Sequence, residues 1–214
     1  MKCQLVRATI EAIEAIWDEA PRARICQCEP AIHIAADPLK PDGHEAAEAY
    51  RIFQFQSLDM LCGRDCPELG GHPRYLDIVG LNYYWNNQWI DHGRILLRDD
   101  PLYRPFQYLI AEYHRRYRRP LFISETGIEG EHRPNWLRYI TSQAAAALEA
   151  GVPVMGICLY PILNHPGWDD DRHCYCGVFD YADENGLREA CEPLAGELRT
   201  CQEMIQSVAE LELV

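Results

Sequence analysis

Glu125 is the side chain best placed for chemistry. It closes the apolar run Leu121-Phe122-Ile123 and precedes the turn Thr126-Gly127. A carboxylate that leaves a strand among aromatic rings suits cleavage of a glycosidic bond. That reaction uses two carboxylates flanking the bond, and aromatic faces on which a pyranose stacks. A capping or ion-paired glutamate is the competing assignment. Asn82 and Tyr84 lie two apart at the end of another apolar run, so on a strand their side chains share a face. An amide and a phenol there could hold a carboxylate and a sugar hydroxyl, or satisfy buried backbone. A further run ends in Tyr160, followed by Asn164, His165, Trp168 and Asp169-Asp170-Asp171. Tyr160 and Trp168 offer ring faces and Asp169 a carboxylate, although an acidic run in a loop is ordinarily solvated. The first apolar run ends in Glu29 and His33. The opposite strand ends carry Arg24, Pro120 and Pro153, which are structural in type.

The elements that must position these residues follow from periodicity. Residues 4–19 place Leu5, Ile10, Ile13 and Ile16 near helical spacing, and Pro21 ends that helix. The run 23–28, ARICQC, fits a buried strand closing at Glu29-Pro30. Residues 44–62 are expected to be helical, with Ala46, Ala49, Tyr50, Phe53 and Leu61 inward. Strands are expected at 75–85, 121–125 and 152–160, with a long loop over 86–100. A helix from Pro101, a good first-turn residue, should end in the basic run His114-Arg115-Arg116. Another runs from Pro134 to Gly151 with Trp136, Leu137, Ile140, Ala144, Ala147 and Leu148 on one side. A last helix covers about 190–211, after a second long loop. Helices alternating with continuous apolar strands imply an α/β fold with a helix-covered parallel sheet. In such sheets function gathers where strands end and the next loops begin.

Composition narrows the function classes. The chain has 214 residues, 48% apolar and 25% charged, so it can bury a core and reads as one domain over 1–214. A net charge of −13 argues against nucleic-acid and anionic-membrane surfaces. No apolar run approaches the roughly 20 residues of a membrane span. The opening MKCQLVRATIEAIEAIW reads as an amphipathic helix rather than a signal peptide. With ten cysteines, that points to reduced thiols in a cytoplasmic setting. Cys26 and Cys28, Cys62 and Cys66, and His173-Cys174-Tyr175-Cys176 invite a metal assignment, but none supplies paired C-x-x-C motifs at zinc-finger spacing. No metal and no cofactor are expected. A Rossmann-type oxidoreductase is excluded because no G-x-G-x-x-G follows a strand, and a P-loop is also absent.

The segments LDIVGLNYY, LFISETGIEG and GICLYPILNHPGWDDD resemble the last three strand motifs of glycoside hydrolase family 1, the β-glucosidases and their relatives. The resemblance runs from the helix before the first strand to the end and is weakest before residue 70. It implies a (β/α)8 TIM-barrel type of fold and retaining hydrolysis of β-glycosides without a cofactor. By the resemblance Glu125 is the nucleophile, with Thr126 where the family has Asn. Asn82 would face the sugar, and Tyr84 would hydrogen-bond the nucleophile. Tyr160, Gly167 and Trp168 occupy the spacing of the family's Trp and Glu-Trp, so Gly167 lacks a sugar-binding carboxylate that Asp169 or Asp170 could replace.

The family's acid/base glutamate lies in an Asn-Glu-Pro motif after strand four, and this chain has none. Its Glu29 precedes Pro30 after the first strand, either as the acid/base or as a site-lining residue after strand five. Counting strands back from Glu125 favours strand five. The expectation is therefore about four βα units, strands five to eight, with the acid/base outside this chain. Such a half-barrel has two open sheet edges. It could form a homodimer or pair with a complementing N-terminal half-barrel around a carbohydrate substrate, or be a non-catalytic module.

Overall fold

The computed structural model describes residues 1–211. In chain order the elements are α1 (Lys2–Glu19), β1 (Cys26–Pro30), β2 (His33–Ala35), α2 (His44–Ile52), α3 (Gln56–Leu61), β3 (Ile78–Asn82) and β4 (Gln88–Ile90). They continue with α4 (Phe106–Tyr117), β5 (Leu121–Thr126), α5 (Arg133–Glu149) and β6 (Val154–Leu159). The short strands β7 (His165–Pro166), β8 (His173–Cys174), β9 (Phe179–Ala182) and β10 (Arg188–Ala190) precede α6 (Glu192–Leu211).

Strands β1, β3, β5 and β6 form an open sheet in that order, with every pair parallel. Its helix-facing side carries Val79, Leu81, Leu121 and Ile123, all fully buried against Leu109, Ile110, Trp136 and Ile140. Cys26, Cys28, Met155 and Cys158 stand exposed on the strands. Tyr83 begins the loop after β3 and inserts into the helix layer. Its ring stacks on Phe106 at 3.9 Å, and its hydroxyl meets Tyr103 and Gln88 at 2.7 Å each.

Four expectations change. Residues 44–62 are not one helix: a 3-10 turn at Phe53–Phe55 separates α2 from α3. The inner face is Ala47, Arg51, Phe55, Leu58 and, as expected, Leu61, while Ala46, Ala49, Tyr50 and Phe53 are exposed. Arg51 turns inward because Glu48 and Glu112 pair with it, and the Gln54 amide caps the Arg51 carbonyl at 2.8 Å where the helix breaks. Helix α4 starts at Phe106, because Pro105 disfavours helix at the residue before it. Pro101 instead lies in a turn, where the Asp100 carboxylate accepts from the Leu102 N–H at 2.9 Å. The 86–100 loop holds β4, which pairs in parallel with β2. The loop after β6 folds into two small antiparallel pairs, β7 with β8 and β9 with β10.

β5 carries one more residue than its neighbour across the stretch that ends at Glu125. Gly80 is opposite Phe122, yet Asn82 is opposite Glu125. This bulge interrupts the alternation. Ile123 and Thr126 are buried, whereas Ser124 and Glu125 are both partly exposed. A bulge of this kind re-aims a side chain. Strict alternation would return Glu125 to the helix layer.

The Tyr83 stack ties β3 to α4 and α5, so Tyr83→Ala should cost about 3–5 kcal/mol, the range for losing a buried aromatic. The measurement is the urea midpoint at unchanged slope. A loss below about 1 kcal/mol would show that the site collapses around the cavity.

Candidate active site

The ends of β3 and β5 bring Tyr84 to Glu125. The Tyr84 hydroxyl donates to Glu125 Oε1 at 2.5 Å. The Tyr84 phenol is held well above its ordinary pKa, first by burial and then by the bond to the Glu125 carboxylate. It stays protonated and remains a donor. Asn82 stands beside Glu125 in register, and its Oδ1 accepts from Ser124 Oγ at 2.7 Å. Thr126 turns the other way. Its hydroxyl donates to the Tyr83 carbonyl at 2.7 Å and accepts from Trp136 Nε1 at 2.9 Å. The backbone ladder continues past the strands, with Tyr83 N–H to the Glu125 carbonyl at 2.9 Å and Tyr160 N–H to the Thr126 carbonyl at 2.8 Å. Gly127 is required there, because a Cβ would lie 1.9 Å from the Tyr160 carbonyl oxygen.

Tyr160 and Trp168 line a pocket of about 220 Å³ together with Tyr84, Trp85, His165 and Arg172. His165 bridges the two rings, 6.1 Å from Tyr160 and 6.4 Å from Trp168. Trp168 is 87% exposed, so its face is available to a ligand. Asp169 is exposed and does not line this pocket. Asp170 folds back, its Oδ1 accepting from the Arg172 N–H at 3.1 Å. A second, larger cleft of about 960 Å³ adjoins this pocket and shares Trp85, Ile128 and Glu129.

Two residues of the sequence-derived set lie elsewhere. Glu29 lies beside Leu81 in register and faces the helices, where Ser57 Oγ donates to its Oε1 at 2.6 Å. Strand parity decides this: Cys28 takes the open face, so Glu29 takes the other. His33 belongs to β2 and sits against an ion network outside the four-stranded sheet. Arg51 pairs there with Glu48 at 2.7 Å and with Glu112 at 2.8 Å, and Arg104 reaches Glu112 at 2.5 Å. The Nδ1 of His33 is buried without a partner.

Sequence reasoning missed the clasp between Glu129 and Arg172, a two-pronged ion pair of 2.7 and 3.0 Å. It joins the loop after β5 to the loop bearing Trp168. The arginine holds the Glu129 carboxyl below its ordinary pKa. Nothing in the spacing of the two residues signals the pairing, because they are brought together by loops.

The chain is similar in fold to solved β-glucosidase structures. A family 1 β-glucosidase from Thermotoga maritima aligns with a TM-score of 0.69 at 16% identity, covering 94% of this chain and 55% of that one. A hyperthermophilic β-glucosidase mutant aligns at 0.67 and 17% identity, covering 91% and 47%. The AHE enzyme from Alicyclobacillus herbarius aligns at 0.71 and 16% identity, covering 96% and 56%. The chain thus spans about half the length of these solved structures. At such identities the likeness is one of fold. No family model matches the sequence, and no curated protein matches it.

The His33 environment generates a pH prediction. Burial, then Arg104 and Arg51, lowers its pKa. The unfolded chain therefore takes up this proton first, near pH ~6.5, and stability falls as pH drops below that value. His33→Asn should flatten the loss between pH ~7 and ~5.5, read as urea midpoints. An unchanged slope in the variant would remove His33 as its source.

Proposed function

We propose that this chain is the nucleophile-bearing half of a retaining β-glycoside hydrolase of the family 1 type. It would correspond to barrel strands five to eight, folded as one domain over 1–214. The observation that carries this is the 2.5 Å hydrogen bond from Tyr84 to Glu125 at adjacent parallel strand ends. The β-glucosidase-like fold and the aromatic pocket beside that pair support it.

The chemistry is double displacement. Glu125, ionised, attacks the anomeric carbon and forms a glycosyl ester as the bond to the leaving oxygen breaks. A second carboxylic acid protonates that oxygen and then activates water, which hydrolyses the ester. Tyr84 orients Glu125 and gives up its bond as the carboxylate charge is consumed. Asn82 hydrogen-bonds a sugar hydroxyl. Tyr160 and Trp168 provide stacking faces, and Asp169 binds outer hydroxyls. The partner carboxyl must stand about 5 Å from the nucleophile. Glu29 is engaged by Ser57 on the helix side, and Glu129 is clasped by Arg172. The acid/base is therefore assigned to strands outside 1–214, and the setting to a reducing cytoplasm in keeping with ten free thiols. No metal or organic cofactor enters the mechanism.

A second function class rests on the sheet itself. Among the described residues β1 and β6 have no outer partner strand, and Met155 is 55% exposed. A non-catalytic half-barrel that pairs with a second copy or a complementing half would cover those edges. Solution mass by light scattering separates the cases: a dimer without turnover supports edge pairing, and an active monomer refutes it.

Glu125→Gln should lower hydrolysis of nitrophenyl β-glycosides by about 10³-fold or more in whatever assembly carries the activity. Undiminished turnover would sink the nucleophile assignment. Tyr84→Phe should lower kcat about ten- to a hundredfold, the equivalent of one hydrogen bond to a charged group.

A further inference from the structure

The basic run 113–119, YHRRYRR, takes no part in the chemistry above. It carries Arg115, Arg116, Arg118 and Arg119 in a chain of net charge −13. The run ends α4 and leads into β5, at the end of the sheet opposite Glu125. There Arg64, Arg119 and His72 line a cavity of about 430 Å³, with the buried Leu76 and Tyr117 beside them. That volume lies within the roughly 300–1,000 Å³ of small-molecule sites. Among the described residues no carboxylate lines it.

The donors around this cavity are held in place and not used up. Arg64 Nη1 donates to the Arg116 carbonyl at 2.7 Å, and its guanidinium lies 5.2 Å from the Tyr117 ring centroid. Arg119 Nη2 donates to the Pro73 carbonyl at 2.7 Å. Backbone carbonyls thus fix both guanidiniums without cancelling their charge, and further N–H groups remain on each. His72 Nδ1 accepts from the Arg74 N–H at 3.1 Å, so the ring proton sits on Nε2, a donor. Asp59, Asp65 and Asp77 border this corner, and each is engaged. Arg116 pairs with Asp59, the Cys66 N–H donates to Asp65 at 2.8 Å, and Arg24 pairs with Asp77 at 2.5 Å. His72 is itself anchored, its N–H donating to the Leu61 carbonyl at 2.9 Å. The close crossing beside it requires Gly71, where a Cβ would stand 1.9 Å from the Met60 carbonyl oxygen.

Two guanidiniums and an imidazole N–H, with no opposing carboxylate, select an anion that offers several oxygens. The planar fork of arginine matches phosphate in particular. The cavity is larger than a bare phosphate ion, and Leu76 and Tyr117 give it an apolar floor, so there is room for the group that the phosphate esterifies. We propose that Arg64, Arg119 and His72 bind the phosphate of a small phosphomonoester in this cavity. The two arginines take its oxygens through their remaining N–H groups, and His72 Nε2–H supplies a further donor. The event is binding alone, with no bond made or broken. The site uses no atom of Glu125 or Tyr84, so it stands or falls independently of the glycosidase assignment.

The test is a calorimetric titration of the 214-residue chain with phenyl phosphate, with phenol as the uncharged control. One phenyl phosphate should bind per chain with a Kd of about 1 mM or tighter, and phenol should not bind. The double variant Arg64→Gln, Arg119→Gln should weaken binding at least about tenfold. Arg115→Gln, on the same basic run but outside the cavity, should leave it within about twofold. Absence of binding, or equal weakening in both variants as a diffuse basic patch would give, overturns the proposal. A second measurement uses the unaltered chain, so it does not depend on the variants folding. Phenyl phosphate at ten times its Kd should slow phenylglyoxal modification of Arg64 and Arg119 about tenfold, because only the unliganded fraction reacts. Arg115 and Arg118 should react at their ligand-free rates. Unchanged rates at Arg64 and Arg119 also overturn it.

Discussion

The extra residue in β5 decides what the sheet can do. A parallel sheet covered by helices has one dry face, and alternation sends every second side chain into it. Leu121 and Ile123 obey that rule. Continued without interruption, it would bury Glu125 beside Trp136, where an unpaired carboxylate costs several kcal/mol. The bulge gives the dry position to Thr126 instead, whose one hydroxyl satisfies both the Tyr83 carbonyl and the Trp136 indole. Glu125 is released to the mouth of the sheet, within reach of Tyr84. One inserted residue therefore turns a core strand into a platform for a carboxylate.

What surrounds that carboxylate is as much about donors as about charge. Tyr84 stays protonated because burial and the carboxylate both disfavour its anion. Arg172, which lines the pocket beside Tyr84, is already committed to Glu129. Two further arginines, Arg51 and Arg104, share Glu112 beside β2 and α4. The protein thereby separates a dense ion network, which holds β2 and β4 onto α2 and α4, from a site served by a neutral phenol.

Legibility in the sequence follows from distance along the chain. The four sheet strands and α5 were readable because runs such as VPVMGICLY and the Trp136–Leu148 stripe declare their burial locally. Glu125, Asn82 and Tyr84 were readable because each closes such a run. The face of α2 was not, since Arg51 is turned inward by Glu112, sixty-one residues away. The start of α4 was misplaced because two prolines compete, and only Pro105 sits at the helix end. Glu29 was assigned to a mouth it does not face, because its position after an apolar run gave its strand but not its parity. The clasp of Glu129 with Arg172 is invisible without the folded loops.

Parity on β1 also links the two sides of the sheet. Gln27 and Glu29 go to the helices, so Cys26 and Cys28 must go to the open face, in register with Ile78 and Gly80. Any side chain at Gly80 would strike one of those sulfurs or Ser124, and Ser124 in turn donates to Asn82 beside Glu125. A contact of four small residues thus lies one step from the candidate active site. Parallel sheets are normally covered on both faces. Whatever covers this one must therefore accommodate the thiol pair and the Glu125 pocket together. Substitutions that enlarge the open face at position 80 should be felt at Asn82 before they reach the helix layer, because the helix side is already packed tight.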